Sequence, residues 1–413
     1  MKARSVQVAV IGGGASGMMA AIVAARGGAE VVILERLDRV GKKLLATGNG
    51  RCNLTNLNCD LSRFHGANSG FAAESLARFS PGDALRFFEE LGIPPKVEEE
   101  GKVFPLSEQA SSVLDVLRHE LARLSVRLET ESDVRDIKRQ RDGFSIVSKN
   151  GRKFAADRVI LAAGGKAAPQ LGSDGSGYRL ATALGHRLVD PFPALVQLKL
   201  NAPFLRRLKG VKIVGEASVL AGRQTLRSER GEILFTDYGV SGPPILQISR
   251  KAAESLAGKK QPALVLDLFP ALGREPLAGL LWKRKETLGD RTVEFGLVGF
   301  LHKRLIPVIL AESGIADPQR LFREITAEEI GRIAALLKCW RMEISGTHSW
   351  TQAQVTAGGI DTREVHPGSM ESKKVSGLFF CGGILDIDGD SGGFNLQWAW
   401  SSGTVAGTHA ARI

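Results

Sequence analysis

The sequence predicts an α/β fold in which a discontinuous Rossmann-type domain is interrupted by an inserted domain, first β-rich and then helical. Two observations predict it: a strand–helix–strand pattern around G-x-G-x-x-G opens the chain, and a strand, a glycine-rich turn and a helix close it. Between these parts, from the PFP sequence at 191–193 onward, apolar residues alternate as they do in antiparallel strands. We therefore expect a first Rossmann-type part at 1–190, an inserted domain at 191–352 and a second Rossmann-type part at 353–413.

The opening pattern contains the residues that a dinucleotide requires. Residues 6–11 form an apolar strand, GGGASG at 12–17 turns into a helix over 18–26, and a second strand at 31–34 leads to Glu35. Gly12 permits the turn, Gly14 lets a pyrophosphate approach the backbone, and Gly17 allows close helix packing. Glu35, 21 residues after Gly14, can accept hydrogen bonds from the adenosine ribose. These features predict a bound dinucleotide with its phosphates at the helix N-terminus.

The segment at 134–165 favours FAD over NAD as the dinucleotide. Short strands at 134–137, 144–147 and 153–154 are separated by Asp-Gly and Asn-Gly turns, which predict hairpins. The sequence RVILAAGG at 158–165 then predicts a buried parallel strand that runs into glycines and includes Ala163 and Gly164. FAD-binding Rossmann proteins usually return to the nucleotide through such a small sheet, whereas NAD-only domains usually lack it. No second G-x-G-x-x-G occurs, so NAD(P)H is expected to bind transiently over the flavin, as a reductant.

The inserted segment and the last part of the chain have element signals of their own. Strands are predicted at 196–200, 213–220, 224–228 and 263–268, followed by helices at 296–310 and after a capping-box sequence at 326–329. The last part has a strand-like VTAGGI at 355–360, a strand at 378–381 and a helix at 395–412. The insertion is therefore expected to fold as strands first and helices second.

Composition and charge limit the classes of protein to consider. The 413 residues include only four cysteines, without C-x-x-C spacing, which argues against a disulfide framework or zinc site and favours the reducing cytoplasm. Glycines interrupt the apolar stretch after Lys2 and Arg4, so a signal peptide is not expected, and no apolar run is long enough to span a bilayer. The net charge of +11 would attract anions, whether FAD, a nicotinamide cofactor or RNA.

A basic, glycine-rich sequence, GKKLLATGNGRCN at 41–53, follows the second strand, where flavoproteins wrap the pyrophosphate and the flavin edge. Lys42, Lys43 and Arg51 offer positive charge there, and glycines such as Gly50 allow close approach of the backbone. The alternative is a basic surface loop. Its placement after the second strand favours a cofactor loop.

Cys52 within this sequence has two interpretations. Disulfide reductases hold a C-x4-C pair against the flavin in this region, but the next cysteine here is Cys59, seven residues away. That spacing does not fit a redox-active pair. A packed thiol near the cofactor is the stronger expectation.

The sequence before the last helix combines glycines and aspartates. Gly392 and Gly393 precede the helix, so their N–H groups and the helix dipole can stabilise negative charge at the N1/O2 edge of reduced flavin. Three aspartates alternate through 386–390 and suggest calcium, but the glycine and glutamate that an EF-hand loop requires are missing. No metal site is expected.

Three motifs together resemble the aminoacetone-oxidase-like FAD-binding flavoproteins, the BaiN/RdsA or YhiN type of NAD(P)/FAD-dependent oxidoreductases: IGGGASG at 11–17, TGNGRCN at 47–53 and LDIDGDSGGFNLQWAWSSG at 385–403. Two further segments, LFTDYGVSGP at 234–243 and VTAGG at 355–359, also resemble this family. The resemblance spans essentially the whole chain. It implies that the discontinuous domain binds FAD and that the inserted domain caps the isoalloxazine. The chain departs from the family at Gly383, where an acid usually stands, so contacts there would pass through backbone or water.

Pattern and resemblance together predict one set of cofactor contacts, drawn from the phosphate turn, the second strand, the basic loop, the small sheet and the carboxyl-terminal motif. The expected FAD-binding residues are Gly12, Gly14, Ala15, Ser16, Gly17, Glu35, Arg36, Lys42, Lys43, Gly50, Arg51, Cys52, Asn53, Val134, Ala163, Gly164, Gly382, Asp386, Gly393, Phe394, Asn395 and Leu396.

The resemblance implies reduction of an activated carbon–carbon double bond and leaves the substrate open. Family members are linked to steroid-like bile-acid intermediates and to a ribosomal RNA uridine that becomes dihydrouridine. Both reactions need a hydride from flavin N5 and a proton from an acid. Tyr238, Thr236 and Ser241 lie in an inserted-domain segment that we expect near the flavin, and Tyr238 is the expected proton donor. The alternative for Tyr238 is an aromatic residue in a turn. His348 is a weaker candidate, with a polar surface histidine as its alternative. A small-molecule reductase is favoured over an RNA-modifying flavoenzyme, and a non-catalytic flavin-binding protein is the third alternative.

Overall fold

The computed structural model describes residues 5–412 and divides the chain into two compact units. The first unit is discontinuous and comprises 1–193 and 354–413, and the second comprises 194–353. Within the described residues, no helix combines the length and the apolar character needed to cross a membrane. The expected fold class, a discontinuous α/β domain with an inserted domain, is confirmed.

The helices and strands are as follows in chain order. The first segment contains β1 (Gln7–Ile11), α1 (Ala15–Arg26), β2 (Glu30–Leu34), β3 (Thr55–Asn56), β4 (Phe64–His65), α2 (Ala72–Arg78), α3 (Pro81–Glu90), β5 (Pro95–Val97), β6 (Lys102–Pro105), α4 (Ala110–Arg123), β7 (Arg127–Glu129), β8 (Val134–Gln140), β9 (Gly143–Ser148), β10 (Lys153–Ala156), β11 (Arg158–Leu161), α5 (Ser176–Ala183) and β12 (Leu188–Ala194). The inserted segment contains β13 (Leu198–Asn201), α6 (Leu205–Leu208), β14 (Lys212–Ala221), β15 (Gln224–Phe235), β16 (Gly239–Ser241), α7 (Pro243–Ala257), β17 (Pro262–Asp267), α8 (Arg274–Leu288), α9 (Val293–Gly296), α10 (Ile306–Glu312), α11 (Ala327–Lys338) and β18 (Trp340–Thr347). The last segment contains β19 (Val355–Ile360), β20 (Leu378–Phe380), β21 (Asp388–Gly389) and α12 (Phe394–Ala410).

A five-stranded parallel sheet forms the centre of the first unit. Its strands run in the order β20–β11–β1–β2–β7, and every neighbouring pair is parallel. Strands of such a sheet are covered on both faces, and β1 and β11 are accordingly buried over most of their length. Because β20 comes from beyond the insertion and pairs with β11, the two parts of the discontinuous unit share one sheet.

The helices α1 and α12 pack closely against each other over this sheet. Gly403 and Gly407 of α12 make the approach possible, since a Cβ atom on Gly407 would lie 2.4 Å from the Ala20 carbonyl oxygen of α1. A Cβ atom on Gly403 would lie 2.6 Å from the carbonyl oxygen of Ser16. This contact fixes the N-terminal end of α1 relative to the last helix of the chain.

The small antiparallel sheet that favoured FAD is present. It has the order β10–β9–β8, with hairpin turns at the predicted Asp-Gly and Asn-Gly positions. Its strands are longer than predicted, because exposed polar residues continue the alternation past the apolar positions that mark the pattern.

A closed six-stranded barrel forms the second unit, with the order β13–β16–β15–β14–β17–β18. Antiparallel pairing of β18 with β13 closes it. Trp340 on β18 is fully buried and packs against Phe204 and Phe235. The four strands predicted in the insertion are confirmed, and the sequence indicated strands without indicating that they close into a barrel.

The predicted helix at 296–310 is wrong. Two short helices, α9 and α10, flank an irregular stretch at 297–305. Gly299 has φ of 80°, a left-handed conformation that interrupts a right-handed helix, and a proline in the first turn of α10 starts a new helix. The capping box at 326–329 is confirmed, because the Thr326 hydroxyl accepts from the Glu329 N–H and the Glu329 carboxylate accepts from the Thr326 N–H.

Candidate functional site

The glycine turn between β1 and α1 is built by close backbone contacts. Gly12 has φ of 105°, and a Cβ atom there would lie 2.7 Å from the Ala162 carbonyl oxygen after β11. A Cβ atom on Gly17 would lie 2.0 Å from the Gly12 carbonyl oxygen. Neither position has room for a side chain, so these two glycines let the helix begin directly against the sheet.

Gly14, unlike Gly12 and Gly17, has open space where a side chain would be. It is the N-cap of α1, and no atom lies within 4 Å of the place where its Cβ would be. The space is open over the first turn of the helix, which begins with Ala15 and Ser16. Unpaired backbone N–H groups and the helix dipole make this end of α1 suitable for phosphate oxygens. The residues present therefore fit a diphosphate group.

Glu35 at the end of β2 is buried and firmly held. Its Oε2 accepts from the Gly13 N–H at 2.8 Å, and its Oε1 accepts from the Leu37 N–H at 2.9 Å. A carboxylate oxygen has more than one acceptor site, so both oxygens retain capacity for ribose hydroxyls. The Ser132 N–H donates to the Glu35 carbonyl at 2.8 Å, which brings the segment leading to the buried Val134 beside Glu35.

Arg36 reaches across to the glycine-rich loop that precedes α5. Its guanidinium forms an ion pair with Asp174, whose Oδ1 accepts from the Ser176 N–H at 3.0 Å. The expected cofactor residue Arg36 is thus already paired with a carboxylate. The pair connects the second strand to the loop after Ala163 and Gly164.

The basic loop at 41–53 lies against the glycine turn, because the Gly41 N–H donates to the Gly13 carbonyl at 2.9 Å. Its backbone is unusual: Asn49 and Cys52 have φ of 55° and 63°. Left-handed conformations are uncommon for residues other than glycine and cluster at functional sites. The conformation of Cys52 is held by its N–H, which donates to the Thr47 carbonyl at 3.0 Å.

The cations of this loop differ in their surroundings. Lys42 forms a 2.6 Å ion pair with Asp38. Arg51 forms a 3.0 Å ion pair with Glu98, and its guanidinium lies 3.9 Å from the centre of the Phe104 ring. Lys43 donates to the Ala167 carbonyl at 2.9 Å. The charge of Arg51, expected to face the cofactor, is thus balanced by a carboxylate.

The three cysteines of the first unit are protonated thiols, because burial raises their pKa values. Burial raises the pKa of Cys52 to about 12 and that of Cys381 to about 12. Burial also raises the pKa of Cys59 to about 11. All three are free, so no disulfide joins Cys52 to Cys59.

The carboxyl-terminal motif meets the basic loop at the start of α12. Gly393 is the N-cap of this helix with φ of 103°, and a Cβ atom there would lie 2.4 Å from the Thr55 carbonyl oxygen. The Asn53 amide nitrogen, oriented toward the Thr55 carbonyl, lies 3.0 Å from it, and the amide oxygen then accepts from the Gly393 N–H at 3.2 Å. Asn395 accepts from the Gly389 N–H at 2.9 Å and donates back to the Gly389 carbonyl at 2.7 Å. Phe394 and Leu396 follow in the same first turn.

Several residues of this site were missed by the sequence analysis. The Thr55 hydroxyl donates to the Gln397 amide oxygen at 2.5 Å, and the Gln397 amide nitrogen donates to the Phe79 carbonyl. His65 on β4 lies 2.8 Å from the Asp390 carboxylate. A glutamine between the apolar residues Leu396 and Trp398 was the available signal for Gln397. His65 had no such signal, because its partner lies 325 residues away.

The stretch 382–386 contains two expected cofactor-binding residues, Gly382 and Asp386. It also contains Gly383, where the chain departs from the family pattern. Gly382 has φ of 74° and lies so close to Ser16 that a Cβ atom would be 2.3 Å from the serine hydroxyl. Asp386 is buried and accepts from the Ala67 N–H at 2.9 Å. No atom lies within 4 Å of a Cβ on Gly383, so the position where the family has an acid has open space.

The candidate proton donors lie in the second unit. The Tyr238 ring packs edge-on against the His348 ring, with centroids 4.8 Å apart. His348 Nδ1 accepts from the Ser349 N–H at 2.8 Å, which leaves the ring proton of neutral imidazole on Nε2. Ser241 ends β16, and Thr236 accepts from the Gly239 N–H at 3.1 Å in the turn that presents Tyr238.

Comparison with known proteins identifies the family of this chain. The model of the HI0933-like protein Rossmann domain matches residues 6–409. The chain belongs to the HI0933-like Rossmann family. The resemblance to this group of FAD-dependent oxidoreductases is therefore confirmed, as is the FAD-binding Rossmann type of the fold.

Two relatives and one solved structure illustrate the range of HI0933-like and related proteins. A 3-dehydro-bile acid delta(4,6)-reductase of Clostridium scindens is 42% identical, with 98% of this chain and 99% of the relative covered. A ribosomal RNA dihydrouridine synthase of Escherichia coli is 30% identical, with 95% of each chain covered. The 3-ketosteroid delta1-dehydrogenase of Sterolibacterium denitrificans shares the fold at 15% identity and a TM-score of 0.50, covering 99% of this chain and 100% of its own.

Proposed function

We propose that this protein is an FAD-dependent, NAD(P)H-linked reductase that acts on an activated carbon–carbon double bond of a small molecule. One observation carries the proposal: the 42% identity to a bile-acid delta(4,6)-reductase extends over nearly all of both chains. Identity at this level over whole chains includes the inserted unit, where we expect the substrate contacts. The four free cysteines fit a reducing compartment, and we propose a cytoplasmic location.

The cofactor would be held by the residues already described. FAD, when bound, supplies the hydride for such a reduction. The open space over Gly14 would receive the diphosphate, and the Glu35 carboxylate would accept from the ribose hydroxyls. The N-terminus of α12, capped by Gly393, would favour negative charge near the flavin ring. The other expected contacts lie in or beside the glycine turn at 12–17, the segment at 35–53 and the carboxyl-terminal motif.

We propose Tyr238 as the proton donor, with Ser241 as a neighbouring hydrogen-bonding group. The chain has two tyrosines. Tyr178 is buried, and burial together with Asp386 raises the pKa of its hydroxyl. Tyr238 is only half-buried and lies beside the imidazole of His348, so it is the phenol that a substrate can reach. A phenol is protonated at neutral pH and can therefore donate to a carbanion-like centre.

The kinetics of the two half-reactions test the nicotinamide reductant and the role of Tyr238 separately. The flavin should be bleached anaerobically by NADH or NADPH, and a steroid-like enone should then restore its colour. Tyr238→Phe should leave bleaching unchanged and slow the recovery by about 10²–10⁴-fold, because only the second step uses the proton. Tyr178→Phe is the matched control and should slow neither step. A flavin that no nicotinamide bleaches would contradict the reductase and favour a non-catalytic flavoprotein.

An RNA substrate is the second candidate, favoured by the relative named a ribosomal RNA dihydrouridine synthase and by the net charge of +11. The basic stretch expected to contact RNA is partly neutralised. Lys209 pairs with Asp237 at 2.8 Å, and Lys212 pairs with Glu232 at 2.8 Å, whereas Arg206 and Arg207 are exposed on α6.

Binding and product measurements separate the two candidates. RNA binding should weaken with salt at a log–log slope of about −0.7 for each phosphate neutralised on a single strand. Dihydrouridine in ribosomal RNA should fall when the gene is deleted. Salt-dependent binding together with lost dihydrouridine would replace the small-molecule reductase by the RNA enzyme. Unchanged dihydrouridine and no salt-dependent binding would leave the small-molecule reductase.

A further inference from the structure

Two adjacent lysines of the basic loop have contrasting environments. Lys42 is neutralised by Asp38 at 2.6 Å. The Lys43 ammonium donates to the Ala167 carbonyl at 2.9 Å, and within residues 5–412 no carboxylate forms an ion pair with it. Lys43 is half-buried, and its ammonium is partly desolvated. A desolvated cation without a counter-ion is unfavourable, so its retention points to an anion that arrives with a ligand.

The position of Lys43 indicates which anion this is. The loop that carries it is bonded to the glycine turn through Gly41 and Gly13, at 2.9 Å. Ala167 belongs to the loop after β11, which the Thr356 hydroxyl fixes by accepting from the Ala167 N–H at 2.9 Å. Lys43 therefore joins two loops that end at the same edge of the parallel sheet as the N-terminus of α1. Phosphate groups of dinucleotides bind at this edge.

We propose that Lys43 is the counter-ion of the FAD diphosphate and that FAD binding is coupled to the protonation of this one lysine. The proposal concerns the cofactor and is independent of the substrate. Lys42, one residue earlier and already paired, has no such role.

The pH dependence follows from the environment of the ammonium. Burial lowers the pKa of Lys43 to about 8. An adjacent diphosphate favours the charged form, so the pKa rises again when FAD binds. Above about pH 8 the free site has lost the proton that the complex needs, and FAD affinity should fall by up to about tenfold per pH unit. Below that pH the affinity should be constant.

Other charged groups belong to the same loops. They are Glu35, Arg36, Asp38, Asp174, Lys42 and Lys166. The variants at Lys42 and Lys43 show whether the profile belongs to Lys43.

The test measures release of FAD from the purified holoenzyme. After dilution into buffers between about pH 7 and about pH 9.5, FAD fluorescence reports the fraction released. Lys43→Met should weaken FAD binding by about 10–100-fold at neutral pH and remove the alkaline decline. Lys43→Arg should retain neutral-pH affinity and also remove the decline, because a guanidinium stays charged. Lys42→Met is the comparison variant and should keep the alkaline decline, because the Lys42 ammonium is already paired with Asp38.

Three results would overturn the proposal. These are wild-type FAD affinity in Lys43→Met, loss of the alkaline decline in Lys42→Met, and an alkaline decline that persists in Lys43→Arg. The absorption spectrum of the bound flavin should be unchanged in Lys43→Met, since a shifted spectrum would place the ammonium at the ring instead. Thermal melting of each variant separates loss of FAD from loss of fold, and Lys43→Arg keeps the test decisive if Lys43→Met is unstable.

Discussion

The glycines of the first turn serve two different physical purposes at the residue scale. Gly12 and Gly17 are required by the protein itself, because any side chain would collide with backbone atoms at less than 3 Å. Gly14 has free space around it and an ordinary backbone conformation, with φ of −78°. Nothing in the protein requires a glycine there, so the reason for it is expected to be the ligand.

Gly14→Val should therefore abolish FAD binding without unfolding the protein. The branched side chain would enter the space that the diphosphate needs, and no protein atom lies within 4 Å of its Cβ position. The measurements are FAD content per chain and the melting temperature without cofactor. Gly12→Ala is the contrasting variant, expected to lower the melting temperature itself. Stoichiometric FAD in Gly14→Val would show that the cofactor lies elsewhere.

Cys52→Ser should leave reduction of the flavin by a nicotinamide largely intact. The thiol is buried, its pKa is raised to about 12, and it forms no disulfide. A neutral thiol without a partner cannot pass electrons by disulfide exchange. Anaerobic bleaching rates of the variant and the wild type provide the comparison. Complete loss of bleaching in a variant that still holds FAD would restore the disulfide-reductase interpretation.

Helix packing links the cofactor turn to the end of the chain at the element scale. The N-terminus of α1 carries Gly14, and the N-terminus of α12 carries Gly393, so the distance between the two helices would set the geometry of the proposed flavin site. Small residues on α12 allow the backbones to approach, as Gly407 does against Ala20.

Gly407→Val should destabilise the first unit by about 1–3 kcal/mol, since the added carbons would force the two helices apart. The melting temperature should fall by roughly 5 °C, and FAD should bind more weakly. Gly279→Ala in α8 is the control: it lies in an exposed helical position with nothing within 4 Å of its Cβ. Helix propensity predicts that it raises stability by about 0.5–1 kcal/mol. Equal melting temperatures for Gly407→Val and the wild type would contradict the proposed packing role.

At the scale of the whole molecule, we expect the stability of the folded state to depend on acid pH, and one buried histidine to contribute to this dependence. His186 is fully enclosed, and its Nε2 lies 2.8 Å from the Ser372 hydroxyl. Burial lowers the pKa of His186, with Lys374 acting in the same direction and Glu364 opposing it. The folded state therefore resists a proton that the unfolded chain accepts near pH 6.5.

Stability should consequently fall as the pH decreases below about 6.5, because protons then bind preferentially to the unfolded chain. His186→Gln should show a smaller loss of melting temperature between about pH 7 and about pH 5.5. His409, whose pKa is also lowered by burial, should contribute in the same direction. The exposed His302→Gln is the control and should follow the wild type. An unaltered acid slope in His186→Gln would assign the sensitivity to other groups.

Local patterns in the sequence were sufficient to predict the strand–helix–strand unit, the place of Glu35 after the second strand and the capping box of α11. Each depends on interactions between residues close in the chain: the apolar period, a conformation that only glycine adopts easily, and side-chain bonds within one helical turn. The same local reasoning predicted a continuous helix at 296–310, where a left-handed Gly299 interrupts it.

Features that join distant parts of the chain became apparent only in the folded structure. Pairing of β13 with β18 closes the barrel, and pairing of β11 with β20 completes the parallel sheet. The difference between Lys42 and Lys43 is of the same kind, since Asp38 pairs with one and Ala167, more than a hundred residues away, contacts the other. Burial and ion pairing depend on which surfaces meet after folding, and local sequence patterns do not encode those encounters.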